Sequence, residues 1–437
     1  MMLSTRPAGS PLTGELTPPG DKSISHRALI FALLAQGESR VTGLLESEDV
    51  NATANACRQL GMQIRREGEV LILDGVGRQG LSAPHGPLDM GNSGTAMRLL
   101  AGVLAAQNFE SELFGDESLN RRPMARIIKP LALMGARIEA GKGGVPPLTI
   151  HGNPGLQGID YPSPVASAQV KSCVLLAGLY AKGRTTVTEP LKSRDHTEKM
   201  LPAFGVKLSG SCGVTGGSRL RGTEIHVPAD ISSAAFFMVA ATLVPDSDIL
   251  LKNVGLNATR DGIVHVLRAM GADLTVQNPR CQGGEDVGDI RVRYSGRLNG
   301  LEIPLELIPS LIDELPVILA LAAVSRGQTK LRGAQELRVK ESDRLAVMAR
   351  GLEALGVSLR EYPDGMDIRG GAVGAGQVDG AGDHRCAMSF AVLGQVAASV
   401  LQISGAENIN TSFPTFVSDL QRVGGNIAHS QGEHANA

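Results

Sequence analysis

Tryptophan is absent from this 437-residue chain, and aromatic residues make up only 3% of it. That leaves little for the base-stacking platforms on which single-strand binders rely. An excess of charge of either sign is also missing: 42 Lys plus Arg stand against 44 Asp plus Glu, a formal net charge of −2. The balance argues against an exposed basic surface for nucleic acid and against an acidic tail. Cysteines number five, at 57, 173, 212, 281 and 386, with no CxxC and no Cys/His cluster at zinc-site spacing. A reduced, cytoplasmic chain without a bound metal is therefore expected. The longest apolar runs, AAFFMVAATLV (234–244) and LPVILALAAV (315–324), fall short of the ~18 residues that span a bilayer. They are expected as buried helices, with no membrane association. The first 20 residues contain no apolar segment of the secretory kind and a single Arg, so neither a signal nor a transit peptide is expected.

Glycine, by contrast, is plentiful at 54 residues, above the usual share of about 7%. It is scattered among apolar runs, which fits a compact fold rich in turns. Six glycines recur in one short pattern, about every 70 residues: LGMQI at Leu60, MGARI at Met134, FGVKL at Phe204, MGADL at Met270, LGVSL at Leu355 and VGGNI at Val423. In each copy the Gly stands where a helix C-cap is expected, with a strand starting after it.

A strongly apolar segment precedes each copy and opens with small or polar residues. These are KSISHRALIFALLA (22–35), NSGTAMRLLAGVLAA (92–106), SAQVKSCVLLAGLYA (167–181), DISSAAFFMVAATLV (230–244), IDELPVILALAAV (312–324) and DHRCAMSFAVLGQVAA (383–398). A helix apolar nearly all round must lie inside its domain. Each unit thus reads as strands plus one buried helix and one amphipathic outer helix. Six units divide into two α/β domains of three: a discontinuous domain of residues 1–20 plus 229–437, and an inserted domain of 21–228. Two crossings, near PPGDKS and IHVPAD, would then form a hinge suited to closing on a ligand.

Polar residues gather at the starts of these apolar helices: Lys22, Ser23 and Arg27; Asn92, Gly94 and Thr95; Ser167 and Gln169; Asp313; His384 and Arg385. A helix N-terminus carries about half a positive charge and free N–H groups, so it attracts anions. Ser, Asn and Asp there also serve simply as N-caps. Capping does not account for Lys22, Arg27, Arg98 or Arg385 in the first turn, where the macrodipole disfavours cations. Two further basic clusters, GDESLNRRPMAR (115–126) and ELRVKESDR (336–344), supply Arg121, Arg122, Arg126, Lys340 and Arg344. Each reads either as a solvated charged helix start or as a carboxylate or phosphate site, for which Arg is well suited.

The motifs GDKSISHRALI (20–30), GNSGTAMRLL (91–100), RPMARIIKPL (122–131), SAQVKS (167–172), RDHTEKML (194–201), LRVKESDRL (337–345) and GDHRCAM (382–388) resemble, in order, those of the 5-enolpyruvylshikimate-3-phosphate synthase family. The resemblance runs from about residue 10 to 425. It implies an inside-out α/β barrel of two domains, each with three βαβαββ-type repeats around buried helices. It also implies transfer of the enolpyruvyl group of phosphoenolpyruvate to the 5-hydroxyl of shikimate 3-phosphate, with release of phosphate and no cofactor. Carried over by position, Lys22, Ser23, Arg27, Ser167, Ala168, Gln169, Arg194, Asp313 and Lys340 match the shikimate-phosphate contacts. Lys22, Gly94, Arg122, Gln169, Glu341, Arg344 and Arg385 match those to phosphoenolpyruvate. The catalytic set would be Lys22, Asp313 and Glu341. In it Asp313 accepts the hydroxyl proton, and either Glu341 or Lys22 protonates the methylene carbon. A monomer is expected.

The pattern has departures. Gly94 is shared with members well inhibited by phosphonomethyl-glycine compounds, whereas RPMAR, SRDHTEKM and IDELP resemble the other subgroup, so inhibitor sensitivity stays open. Thr411 stands where many members carry Lys. His384 reads either as a phosphate contact or as a structural imidazole. The sister family that modifies UDP-N-acetylglucosamine usually carries a reactive Cys near the Arg122 region, and residues 107–126 contain none. A nucleic-acid clamp would spread its cations along helix faces instead of gathering them at helix starts.

Overall fold

The structure, a computed structural model, describes residues 1–430. The chain folds into two compact units: Gly20–Pro228 with Cys281–Glu285, and Met1–Pro19 with Ala229–Arg280 and Asp286 onward. These are called the first-half and second-half units below. The chain changes unit after Pro19 and after Pro228, and again on either side of Cys281–Glu285. Asp21 N donates to the Pro228 carbonyl, and Asp230 N to that of Pro19, each at 2.8 Å.

Three sheets lie in the first-half unit. The first sets Ala35–Thr42 between Val70–Val76, which also pairs Gln63–Glu67, and the short strands Leu220–Arg221 and Glu224–His226. The second runs Leu88–Asp89, Glu110–Phe114, Val145–His151, Arg137–Gly141, and the third Asp160–Pro162, Arg184–Thr188, Gly213–Thr215. The second-half unit repeats the plan with three more. The N-terminal residues complete two of them: Thr13–Leu16 pairs in parallel with Asp248–Leu251, and Leu3–Thr5 lies antiparallel between Leu401–Ile403 and Ile427–His429. Six sheets, one per sequence repeat, make up the two-domain α/β fold of the described residues.

Under each sheet lies one apolar helix: Lys22–Leu34, Gly94–Leu104 and Ala168–Gly178 in the first-half unit, Ile231–Leu243, Leu315–Val324 and His384–Gly394 in the second. Every residue from Ile24 to Leu34 is buried, as is every one from Ile231 to Thr242. Each unit has a single core, in which a fully buried aliphatic side chain contributes about 1.5–3 kcal/mol. The run 315–324 is one of these core helices, and among the described residues no single helix is long and apolar enough to cross a membrane.

The six repeat glycines, Gly61, Gly135, Gly205, Gly271, Gly356 and Gly424, all adopt left-handed φ between 80° and 109°. They end the outer segments as the pattern requires. A strand follows within two or three residues in five copies. The third copy departs from expectation. The backbone after Gly205 stays irregular until the strand Gly213–Thr215, and the outer helix is a five-residue turn, His196–Met200, continued as 3-10 helix Leu201–Phe204. Pro202 explains the short helix, since it lacks the N–H that an α-helix would bond back to residue 198.

Candidate active site

Five of the six buried helices begin at a side-chain cap: Asp21, Ser93, Ser167, Asp230 and Asp383 each accept from a backbone N–H of the first turn. Ser167 is thus a cap as far as that goes, for its Oγ lies 3.4 Å from Val170 N. The cations around these starts need a different account.

In the first-half unit, Lys22 opens its helix and pairs with buried Asp49. Arg27, which lies in the second turn and not the first and is only 2% exposed, donates from Nε to Thr197 Oγ1 at 2.8 Å, from Nη1 to the Ser23 carbonyl at 2.9 Å and from Nη2 to Ser172 Oγ at 2.7 Å. Burial lowers its pKa to about 10 against the pull of Glu198 and Asp21, and the like charge of Arg194 adds to the lowering. Two guanidinium groups, one of them buried, thus lie near enough for the charge of Arg194 to act on Arg27. Between Lys22 and Arg27 lies His26, whose pKa is pushed well below the ordinary value by burial, then by Lys22 and Arg27. This neutral ring sits 2.7 Å from Thr53 Oγ1 and 3.4 Å from the cap Ser93 Oγ.

A second group in the same unit centres on Gly94. Arg122, 7% exposed, reaches back to Asn92, donating to its carbonyl at 3.2 Å and to its Oδ1 at 2.6 Å. Arg98, which lies in the second turn and not the first, donates to Gln169 Oε1 at 2.6 Å, and Gln169 donates to Thr95 Oγ1 at 2.9 Å. A Cβ on Gly94 would stand 2.8 Å from Arg98 Nη1 and 3.2 Å from Arg122 Nη1, so only Gly leaves both forks in place. The basic run 115–126 splits: Arg122 turns inward, Arg126 is exposed, and Arg121 is 72% exposed beside Glu117. Ser23, Ala168 and Gln169 are half-buried at their helix starts.

In the second-half unit, Asp313 is neither an N-cap nor the first helical residue. It occupies the turn before Leu315, because Pro316 suits the first turn of a helix and sets where this one begins. From there its Oδ1 lies 3.2 Å from Arg344 Nη1 and 3.4 Å from Lys340 Nζ, and its carbonyl accepts from Arg385 Nη1 at 3.1 Å. Arg344 is no solvated helix start. At 1% exposure it also holds Glu341 at 2.5 Å and the cap Asp383 at 2.8 Å. Burial alone would lower its pKa, but Asp383, Glu341 and Asp313 together raise it. Five candidates, Asp313, Lys340, Glu341, Arg344 and Arg385, therefore share one ion network. His384 is buried at the first helical position, and Thr411 is turned into its own 3-10 turn, donating to the Asn408 carbonyl at 2.6 Å.

Sequence reasoning missed the partners that hold these groups. Asp49, His26, Asn92 as acceptor for Arg122, and Glu314 fall in this class. Glu314, next to Asp313 and fully buried, accepts from Ser232, which in turn accepts from buried Arg260 at 2.7 Å. The available signal was charge inside apolar stretches, as in Glu314 immediately before LPVILALAAV.

Both the sequence and the two-domain α/β fold are similar to those of known transferases. The family model described as EPSP synthase (3-phosphoshikimate 1-carboxyvinyltransferase) matches residues 7–420. A 3-phosphoshikimate 1-carboxyvinyltransferase of Xanthomonas campestris pv. campestris is 55% identical over 420 residues, covering 95% of this chain and 96% of the relative. One from Alkalilimnicola ehrlichii is 56% identical over 424 residues, covering 95% and 94%. A solved EPSP synthase structure from Acinetobacter baumannii superposes with a TM-score of 0.88 at 48% identity, covering 98% of this chain and 100% of that one. The chain belongs to the EPSP synthase family. Its reaction is enolpyruvyl transfer from phosphoenolpyruvate to shikimate 3-phosphate, a step of the shikimate pathway toward aromatic amino acids.

Proposed function

We propose that Lys22, Ser23, Arg27, Ser167, Ala168, Gln169, Arg194, Asp313 and Lys340 bind shikimate 3-phosphate. Lys22, Gly94, Arg122, Gln169, Glu341, Arg344 and Arg385 bind phosphoenolpyruvate. The observation that carries this reading is the placement of buried or half-buried cations at apolar helix starts, with Arg27 and Arg194 repelling one another. Two phosphates and two carboxylates demand such a surplus, and Arg forks hold carboxylate oxygens in plane.

In the proposed mechanism Asp313, an acceptor already oriented by Arg344 and Lys340, takes the proton of the attacking 5-hydroxyl. Glu341 or Lys22 protonates the methylene carbon of phosphoenolpyruvate as the C–O bond forms at its C2. The tetrahedral intermediate then loses a methyl proton and phosphate, which restores the carbon–carbon double bond as the enol ether of the product. Acid and base steps of this kind contribute about 10²- to 10⁴-fold each, and fixed cations supply much of the rest. Each unit carries only part of the set, so turnover is assigned to the intact chain. We place it in the cytoplasm as a monomer. Its five unpaired thiols fit a reducing compartment, and gel filtration tests the second point.

Thermal unfolding with shikimate 3-phosphate tests the binding assignment. A ligand at one hundred times its Kd adds about 2.7 kcal/mol to stability. Absence of any shift in the wild type refutes the reading. Lys22→Met and Arg122→Ala should fold and release no phosphate, and retained turnover in either refutes its place in the site.

A further inference from the structure

One buried cation takes no part in the reaction proposed above. Lys171 lies in the first turn of the helix Ala168–Gly178, and its side chain is 2% exposed. Its Nζ stands 3.0 Å from Glu189 Oε2 and 2.9 Å from Glu198 Oε1, and donates to the Ser193 carbonyl at 3.4 Å. Burial alone would lower the pKa of this amine, but Glu198 and Glu189 outweigh it and raise it, so the group is charged.

Each partner leads to a candidate contact of the shikimate-phosphate site. Glu189 Oε1 accepts from Ser167 N at 2.8 Å and from Ser193 Oγ at 2.6 Å. That fixes both the start of the helix and the segment running into Arg194. Glu198 shares the turn His196–Met200 with Thr197, whose Oγ1 accepts from Arg27 Nε and lies 2.7 Å from Ser172 Oγ. Ser172, the neighbour of Lys171, accepts from Arg27 as well. One ammonium thus ties together the segments bearing Ser167, Arg194 and Arg27. It also holds Glu198, the largest charge opposing the loss of positive charge on Arg27.

Charge buried this deeply is expensive, and an apolar side chain of similar length would fill a helix core at lower cost. We infer that Lys171 is a positioning residue for the phosphate of shikimate 3-phosphate, setting Ser167, Arg27 and Arg194 in register without touching the substrate. The inference rests on the proposed roles of those three residues.

Calorimetric titration with shikimate 3-phosphate, alongside the KM for phosphoenolpyruvate at saturating shikimate 3-phosphate, tests it in Lys171→Met, Glu198→Gln and Arg27→Ala. Lys171→Met is expected to raise the Kd at least tenfold and Glu198→Gln at least threefold, with the phosphoenolpyruvate KM within twofold of wild type. A folded Lys171→Met protein with an unchanged Kd overturns the inference. If that variant does not fold, an unchanged Kd in Glu198→Gln does so instead. A parallel rise in both substrate terms also overturns it, since that marks general loosening of the fold. Arg27→Ala separates the two levels. An unchanged Kd there removes the underlying site, whereas a large loss there with none in the other two removes only the role of Lys171.

Discussion

Arg344 donates to Asp313 at 3.2 Å from a guanidinium that is 1% exposed and also holds Glu341 and Asp383. The proposed base is therefore oriented by a group that also holds two other carboxylates. Arg344→Met should destabilise the fold by about 3–5 kcal/mol, the usual result of breaking a buried pair. Arg338, six residues earlier and bound to Asp343 and Glu361 nearer the surface, should cost under about 1 kcal/mol on the same change. Urea unfolding of the two variants checks the contrast, and equal losses would contradict it.

Asp313→Asn keeps the shape of the side chain and removes its capacity to take a proton. Turnover should fall by about 10²- to 10⁴-fold. The Kd for shikimate 3-phosphate should change far less, because Lys340 and the first-half contacts remain. Single-turnover kinetics with titration on the same sample makes the comparison.

Gly94→Ala places a methyl group 2.8 Å from Arg98 Nη1 and 3.2 Å from Arg122 Nη1. Both are ends of flexible side chains, so the forks shift while the fold survives. The KM for phosphoenolpyruvate should rise by about tenfold, the effect of losing about 1.4 kcal/mol of binding. Affinity for shikimate 3-phosphate should stay within a fewfold, and steady-state kinetics with each substrate varied shows the split.

His26 gives a pH signature. Its pKa in the fold lies well below that of the unfolded chain, near 6.5, so below that pH the unfolded state binds the extra proton. Its contribution is complete above about pH 7 and is lost as the pH falls below 6.5, by up to about 1.4 kcal/mol per unit. His26→Gln should remove this slope. Urea midpoints of both proteins between pH 5 and 8 should diverge only at the acid end.

Much of this was legible in the amino-acid order, for identifiable reasons. A helix such as Ile231–Leu243 has no polar face, so burial was its only possible fate. The repeated Gly after each outer segment marks a left-handed backbone that other residues resist. What escaped depends on contacts far apart in the chain. Arg122 finds Asn92 thirty residues away, Arg27 meets Thr197 after 170, and Lys171 draws in Glu189 and Glu198 from separate turns. Nor does any local pattern place Cys281–Glu285 with the first-half unit, where Glu285 meets His196 at 2.8 Å. The short third outer helix has its own local signal in Pro202, whose missing N–H breaks the helical pattern of the repeat.

The central claim is that one chain joins an enolpyruvyl group to shikimate 3-phosphate using cations held at its helix starts. A phosphate-release assay coupled to product analysis tests it most directly. With both substrates present, one phosphate should appear for each enolpyruvyl ether formed at the 5-hydroxyl. With either substrate alone there should be none. Phosphate released from phosphoenolpyruvate without shikimate 3-phosphate, or no release with both, would contradict the account.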